Sequence, residues 1–259
     1  MDMPSPQSAE VARFPKGIWK GADYLIHHEE QLMESLRRDS DLRQISSVLL
    51  VITVVMAALY GAVMGATNLL QGSALSPMPK MAMIVVTAVK APVLLLLTLA
   101  IVVPPVYVSN AFVGARLSSR QMVALLMASM AITATVLASM ATVAFFFALT
   151  SRSYHFIKLL HVLVFFYAGS VGLGYMVRSL RVIAVRAEAP DKCAAAPRCT
   201  PRWLFFGWVI LYMFVGTQLA WVLRPFVGRP TEKFQIFRQR SGNFYESVLD
   251  SMESVTERK

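Results

Sequence analysis

Three side chains that can carry charge lie close together at the start of an apolar stretch. The segment SRSYHFIKLLHVLVFF spaces His155, Lys158 and His161 three residues apart, which puts them on one side of a helix. Histidine titrates near neutral pH, so such a group in a membrane protein could respond to protons or bind an anion. The alternative, which we favour, is that the cluster marks the membrane interface, where aromatic and basic residues collect.

Two adjacent prolines interrupt a second apolar stretch, KAPVLLLLTLAIVVPPVYVSNAFVG, residues 90–114. Pro104 and Pro105 each lack a backbone N–H and oppose the helical backbone sterically, so we expect a kink or a break there. Broken helices of transporters use freed carbonyl groups to hold ions. The polar residues nearest to the break are Tyr107, Ser109 and Asn110. The alternative, which we favour, is a structural kink, since no carboxylate is available as a counter-charge.

Lys90 lies immediately before the same stretch. If the membrane helix covers residues 91–113, the lysine lies at the headgroup level, where its long side chain can reach water. The preceding residues, 78–90, are then interfacial or re-entrant. An anion-selective use of Lys90 stays open as a second hypothesis.

Small and polar residues indicate how the apolar stretches pack. Ala57, Gly61 and Gly65 are four residues apart, a spacing that lets two helix backbones approach closely. Small residues also recur through residues 121–149, which predicts that this helix is buried among the others. Gln218 is a lone amide in the last apolar stretch, typical of a hydrogen-bond partner between helices.

Composition shows which elements must position these groups. The chain has 259 residues, of which 56% are hydrophobic and 15% are charged, whereas soluble domains have roughly 25% charged residues. A membrane-spanning helix needs about 20 mostly apolar residues. Five stretches qualify, at about residues 46–70, 91–113, 121–149, 159–177 and 203–223. The expected fold is therefore all-α, a polytopic membrane helix bundle of about five transmembrane helices.

The distribution of charge predicts the orientation. Lys and Arg number 25 and Asp and Glu 15, an excess that in a polytopic chain belongs to cytoplasmic loops, so nucleic-acid binding is not expected. Basic residues before the first span, after the second and after the fourth share one side, which predicts a cytoplasmic N-terminus. Five spans then put the C-terminal tail outside, although it begins RPFVGRPTEKFQIFRQR. The side of this tail is an open conflict.

The N-terminal part contains a further helix signal. Ile18, Leu25 and Leu32 recur every seven residues, which predicts an amphipathic cytoplasmic helix. This helix lies on the membrane surface, pairs with another chain or packs on the protein itself. We expect no removable signal peptide before it. The chain thus divides into an N-terminal tail, a transmembrane bundle and a basic C-terminal tail: residues 1–44, 45–223 and 224–259.

Catalytic motifs do not occur in the sequence. HExxH, GxSxG, P-loop and Gly-rich dinucleotide patterns are all missing, and the five apolar stretches contain no carboxylate. Cys193 and Cys199 lack the paired close spacings of a structural zinc site. We therefore expect no enzyme, no metal site and no cofactor.

Several stretches resemble a group of uncharacterised bacterial multi-span membrane proteins: KAP with PPVYVSNAFVG, then YHFIKLLHVL, GTQLAWVLRPFVG and FRQRSGNFYESV. The likeness covers about residues 46–248. The five-span layout with a cytoplasmic N-terminus is also similar, more weakly, to Yip-type proteins. The resemblance implies a location in the bacterial inner membrane and supplies neither an activity nor functional residues.

Two functions follow as hypotheses. The first, which we prefer, is a non-catalytic membrane subunit, scaffold or assembly factor that binds a protein partner or anionic lipid through the N-terminal helix or the C-terminal tail. The second is an oligomeric channel or transporter, with its pathway at the broken second span and the histidine cluster. Both place the chain in a lipid bilayer, and the second requires a homo-oligomer.

Overall fold

The computed structural model describes residues 17–27, 32, 42–70, 77–113, 118–151, 153–186 and 202–223. Within these residues the chain is helical and contains no strand, which confirms the predicted all-α fold. The structure gives bounds for six helices among the described residues: α1 (Ile18–His27), α2 (Leu42–Leu70), α3 (Pro77–Val113), α4 (Ser119–Thr150), α5 (Tyr154–Arg186) and α6 (Arg202–Leu223).

Four of the described helices are long and apolar enough to cross a membrane. Their apolar windows lie in α2, α3, α4 and α5, at Leu42–Thr67, Met81–Val108, Ser119–Thr150 and His155–Ser179. These helices confirm the prediction of a membrane helix bundle. The fifth predicted span corresponds to α6, whose described apolar part is shorter, Ile210–Ala220. The count of five spans therefore stays a prediction.

The second span differs from its prediction. Helix α3 runs without interruption over Pro77–Val113, 37 residues. The predictions of a helix that starts after Lys90 and of a break at the double proline are therefore wrong, whereas a kink at these prolines and an interfacial position of residues 78–90 stay predictions. In lipid no water can pair with a freed backbone group, so a continuous helix costs less than an open break. Three prolines lie inside it: Pro92, Pro104 and Pro105.

Helix α4 lies at the centre of the described bundle, as its small residues predict. It packs against α1, α2, α3 and α5, whereas α6 packs mainly against α3. Alanine side chains let the neighbouring backbones approach closely. Five of the described ones are 0% exposed, namely Ala124, Ala128, Ala131, Ala134 and Ala144.

Hydrogen bonds define both ends of α4. At its start Ser118 Oγ accepts from the Gln121 N–H at 3.3 Å and Gln121 Oε1 accepts from the Ser118 N–H at 3.1 Å, which together form a capping box. At its end the Ser151 N–H donates to the Phe147 carbonyl oxygen at 2.8 Å. The chain then turns back into α5, where the ring of Phe156 packs edge-on against Phe147.

Helix α1 packs against α2 and α4. Leu25 and Leu32, from the predicted apolar face, are 2% and 0% exposed, and Ala22 is 5% exposed. Trp19, one turn before Ala22 and outside this buried face, is 73% exposed. The described apolar face thus covers the protein's own bundle. The rest of the predicted N-terminal tail, the loop with both cysteines and the C-terminal tail 224–259 lie outside the described residues, and the cytoplasmic side of α1 stays a prediction.

Candidate functional site

A histidine and a tyrosine from different helices meet inside the bundle. His161 of α5 and Tyr60 of α2 are each 0% exposed. His161 Nδ1 lies 2.8 Å from the Tyr60 hydroxyl, a hydrogen bond between residues 101 positions apart in the sequence. The ring of Phe165 packs edge-on against Tyr60, with centroids 5.5 Å apart. This Tyr60–His161 pair joins α2 to α5 in the core.

The packing face predicted in the first span lies beside this pair. A Cβ atom built on Gly61 would lie 2.6 Å from the Thr87 carbonyl oxygen, and one built on Gly65 would lie 2.7 Å from the Ile84 Cα. Helix α2 therefore approaches α3 so closely that glycine is required at both places. Ala57, the third member of this face, is 0% exposed. The close crossing holds the register of α2 against α3, and thereby the position of the neighbouring tyrosine.

Burial separates the three members of the predicted histidine cluster. His161 is fully buried, whereas His155 and Lys158 are half-buried in the first turns of α5. His155 is the second residue of α5, and His161 lies about 9 Å further along the helix. An interface position suits the first two residues. His161 instead belongs to the core.

Lys90 lies at the same height in the bundle as the Tyr60–His161 pair. A Cβ atom on Gly61 would meet both Thr87 and Ala91, so residue 90 of α3 is level with this part of α2. Lys90 is half-buried. Helix α3 continues on both sides of it, over Pro77–Val113, and a position of this lysine at the headgroup level stays a prediction.

The other predicted pathway residues lie elsewhere. Near the far end of α3 are three exposed or half-buried residues, Pro104, Pro105 and Tyr107. They are roughly 21 Å from Lys90 along the helix. Gln218 is half-buried on α6, and Asn110 belongs to α3 but its side chain lies outside the described part. Among the described side chains, the predicted pathway is thus spread over two halves of the bundle.

A second polar level lies about 16 Å further along α5. Ser129 Oγ of α4 donates to the Gly172 carbonyl oxygen at 2.9 Å. Thr133, one turn later, donates to the Ser129 carbonyl oxygen at 3.0 Å. The Tyr212 hydroxyl of α6 donates to Met130 Sδ at 3.4 Å. We call these five residues the Ser129 cluster.

Sequence reasoning recognised small residues in α4 but predicted neither Tyr60 nor Tyr212 as a site residue. The available signals were a tyrosine inside each apolar stretch and a serine and a threonine four residues apart. A buried tyrosine hydroxyl needs a hydrogen-bond partner. The sequence therefore indicates that each buried tyrosine has a hydrogen-bond partner, but it does not identify that partner.

The Tyr60–His161 pair can hold a proton in its hydrogen bond, because the imidazole Nδ1 donates or accepts according to its tautomer. His161 Nε2 is buried and has no hydrogen-bond partner among the described residues. A ring nitrogen with this remaining capacity can exchange a proton or bind a small polar ligand. Within the described parts of the chain, no group of three His, Cys, Asp or Glu residues could hold a metal ion.

Comparison with protein-family models, with curated proteins and with solved structures finds no match for this chain.

Proposed function

We propose that this protein is a non-catalytic subunit or scaffold of the bacterial inner membrane, with about five spans and a cytoplasmic N-terminus. The observation that carries the proposal is that polar side chains form hydrogen bonds either with a neighbouring helix or with the backbone of their own helix. Ser129 and Tyr212 bond to neighbouring helices, as does Tyr60. Threonine hydroxyls donate to carbonyl oxygens of their own helices, at Thr53, Thr87, Thr98, Thr135 and Thr217. Such bonds build a packed core.

The location and orientation in this proposal are supported by two features of the sequence. The stretches within residues 46–248 resemble bacterial multi-span membrane proteins. Basic residues concentrate in the segments that the proposal assigns to the cytoplasm.

A scaffold needs a surface for its partner, and α1 supplies one. Trp19 is 73% exposed, more than any other large apolar side chain among the described residues. Lys20 and Asp23 are exposed near it. An aromatic anchor with a charged rim is typical of protein–protein interfaces. The partner would therefore bury Trp19 while α1 stays packed on α2 and α4.

Site-specific photo-crosslinking in intact membranes tests this function. A photoreactive phenylalanine analogue replaces Trp19 in one variant and Phe146 in the control, since Phe146 is 60% exposed on the membrane-length helix α4. We expect a discrete protein adduct from position 19 and lipid adducts from position 146. Lipid adducts from both positions, with no protein adduct, would contradict the scaffold function.

The Tyr60–His161 pair favours a second candidate, an oligomeric proton-linked channel or transporter. An ionisable side chain inside a membrane bundle is costly to bury and often serves a proton or ion pathway. Liposomes that contain the full chain and an entrapped pH-sensitive dye distinguish the candidates. A proton flux that His161→Ala abolishes would favour the channel. A flux equal to that of protein-free liposomes would favour the scaffold.

A further inference from the structure

An open groove runs along the outer face of α5 beside α6. Its volume is about 590 Å³. The groove is lined by Phe166, Ser170, Leu173, Gly174, Val177 and Met213, with Arg178 at one end. The members from α5 recur at helical spacing and so share one face of that helix. Neither the Tyr60–His161 pair nor the Ser129 cluster forms part of its lining.

The groove has the length of one membrane leaflet. Arg178 and Phe166 are about 18 Å apart along the helix, and half of the hydrocarbon layer of a bilayer is about 15 Å thick. Along α5, Arg178 is the first Lys or Arg after Lys158, and Arg181 and Arg186 follow it, as is typical where a span leaves the hydrocarbon layer. The guanidinium group therefore lies at the membrane boundary. An acyl chain in the groove would reach from there to the middle of the bilayer.

The charge at this end of the groove favours an anionic headgroup. Arg178 is exposed, and the sequence of α5 continues with Arg181 and Arg186 and contains no carboxylate. A guanidinium group binds phosphate oxygens through two parallel hydrogen bonds. Basic pockets between membrane helices recognise anionic lipid headgroups in this way.

We propose that this groove binds one anionic phospholipid, with its phosphate at Arg178 and an acyl chain along α5 as far as Phe166. The proposal goes beyond the proposed function and does not depend on it, because a scaffold and a channel could each hold the lipid. Phosphatidylglycerol is a suitable probe, and phosphatidylcholine is the matched zwitterionic lipid.

Two glycines of α5 provide a variant that fills the groove and a control variant that leaves it open. A Cβ atom at Gly174 would have nothing within 4 Å, and the same holds for Gly169. Gly174 lines the groove and Gly169 does not. Leucine is a better helix former than glycine by roughly 0.8 kcal/mol, so neither substitution should harm the fold. Gly174→Leu therefore fills the groove, while Gly169→Leu adds the same side chain elsewhere.

Arg120 provides a matched control for the contact between Arg178 and the lipid headgroup, because it lies at the same end of the bundle. Helices α4 and α5 are antiparallel, because Ser129 contacts Gly172 and Phe147 contacts Phe156. The start of α4 therefore lies at the end where α5 finishes. Arg120 is exposed there and is not part of the groove. Arg178→Gln and Arg120→Gln thus remove equal charge from the same side.

Native mass spectrometry of the full chain in detergent, with either lipid added, measures the bound fraction. We expect the wild type, Gly169→Leu and Arg120→Gln to retain phosphatidylglycerol over phosphatidylcholine. Arg178→Gln should lower phosphatidylglycerol retention roughly fivefold, and Gly174→Leu should lower retention of both lipids. Thermal unfolding checks that all variants are folded.

Three results would overturn the proposal. The first is equal retention of phosphatidylglycerol by the wild type, Arg178→Gln and Gly174→Leu. The second is an equal loss from Arg178→Gln and Arg120→Gln, which would reflect charge in general. The third is a change of oligomeric mass in Gly174→Leu without loss of lipid, which would make the groove a contact between copies. None of these results bears on crosslinking at Trp19, so the two proposals can fail separately.

Discussion

Two polar levels cross the bundle about 16 Å apart along α5, and they join the helices in different ways. In the Tyr60–His161 pair two side chains bond to each other, and both are 0% exposed. In the Ser129 cluster a hydroxyl bonds to a backbone carbonyl of the facing helix, where Gly172 leaves no room for a side chain. The first level depends on the identity of two side chains, those of Tyr60 and His161. The second level depends on the small size of Ser129 and Gly172.

This difference reflects what holds helices together in lipid. Lipid tails are as apolar as the helix surface, so association relies on close packing and on hydrogen bonds between helices. The Ser129 cluster uses mainly close packing, and the Tyr60–His161 pair uses mainly a hydrogen bond. Substitutions that alter size should therefore affect the cluster most, and substitutions that alter polarity should affect the pair.

The largest effect is expected from enlarging the Ser129 cluster. A Cβ atom on Gly172 would lie 2.8 Å from the Ser129 carbonyl oxygen and would overlap the Thr133 side chain. We expect Gly172→Leu to lower the free energy of unfolding by about 3 kcal/mol, measured by thermal unfolding in detergent. Gly169→Leu is the control, because its added Cβ has open space around it. Equal stability of these two variants would contradict packing as the cause.

An intermediate effect is expected from the Tyr60–His161 pair. His161→Leu leaves the Tyr60 hydroxyl buried without its partner, which costs about 1–3 kcal/mol. Adding Tyr60→Phe removes that hydroxyl, so the double variant should recover part of the loss, with a coupling energy of about 1 kcal/mol. Unfolding of the wild type, both single variants and the double variant in one detergent measures this coupling. Strictly additive losses would show that the hydrogen bond does not stabilise the bundle.

The smallest effect is expected from removing a hydroxyl while keeping small size. Ser129→Ala deletes the hydrogen bond to the Gly172 carbonyl oxygen but still allows α4 and α5 to touch. We expect a loss of about 0.6 kcal/mol, measured by the same unfolding experiment. A loss as large as that of Gly172→Leu would mean that the hydrogen bond, and not the close approach, holds this crossing.

The positions of most membrane helices could be predicted from the sequence. The predicted starts at residues 121 and 203 differ by one or two positions from Ser119 and Arg202, where the helices begin. A run of apolar residues in lipid must pair its backbone internally, and a helix does so with local bonds alone. The prediction failed at α3 because the helix was expected to start after Lys90 and the double proline was allowed to break it, although a long helix tolerates both when lipid and neighbouring helices surround it.

The candidate site was predictable only in part. Helical spacing placed His155, Lys158 and His161 on one side of α5, but burial alone distinguished His161 from the other two. The spacing of Gly61 and Gly65 indicated a close crossing without naming α3 as the partner. Tyr60 could not be assigned to His161, because the two residues are 101 positions apart and no local pattern relates them.

The sequence by itself determined that this chain is a helical membrane protein and where its small residues permit close approach. These are local properties, since apolar length and spacing act within a single helix. Only the tertiary structure decided that Tyr60 meets His161, that Ser129 meets Gly172 and that Arg178 ends a groove. Those contacts depend on which helices cross and at what height. The helix crossings follow from the packing of all the helices together, so no single segment of the sequence specifies them.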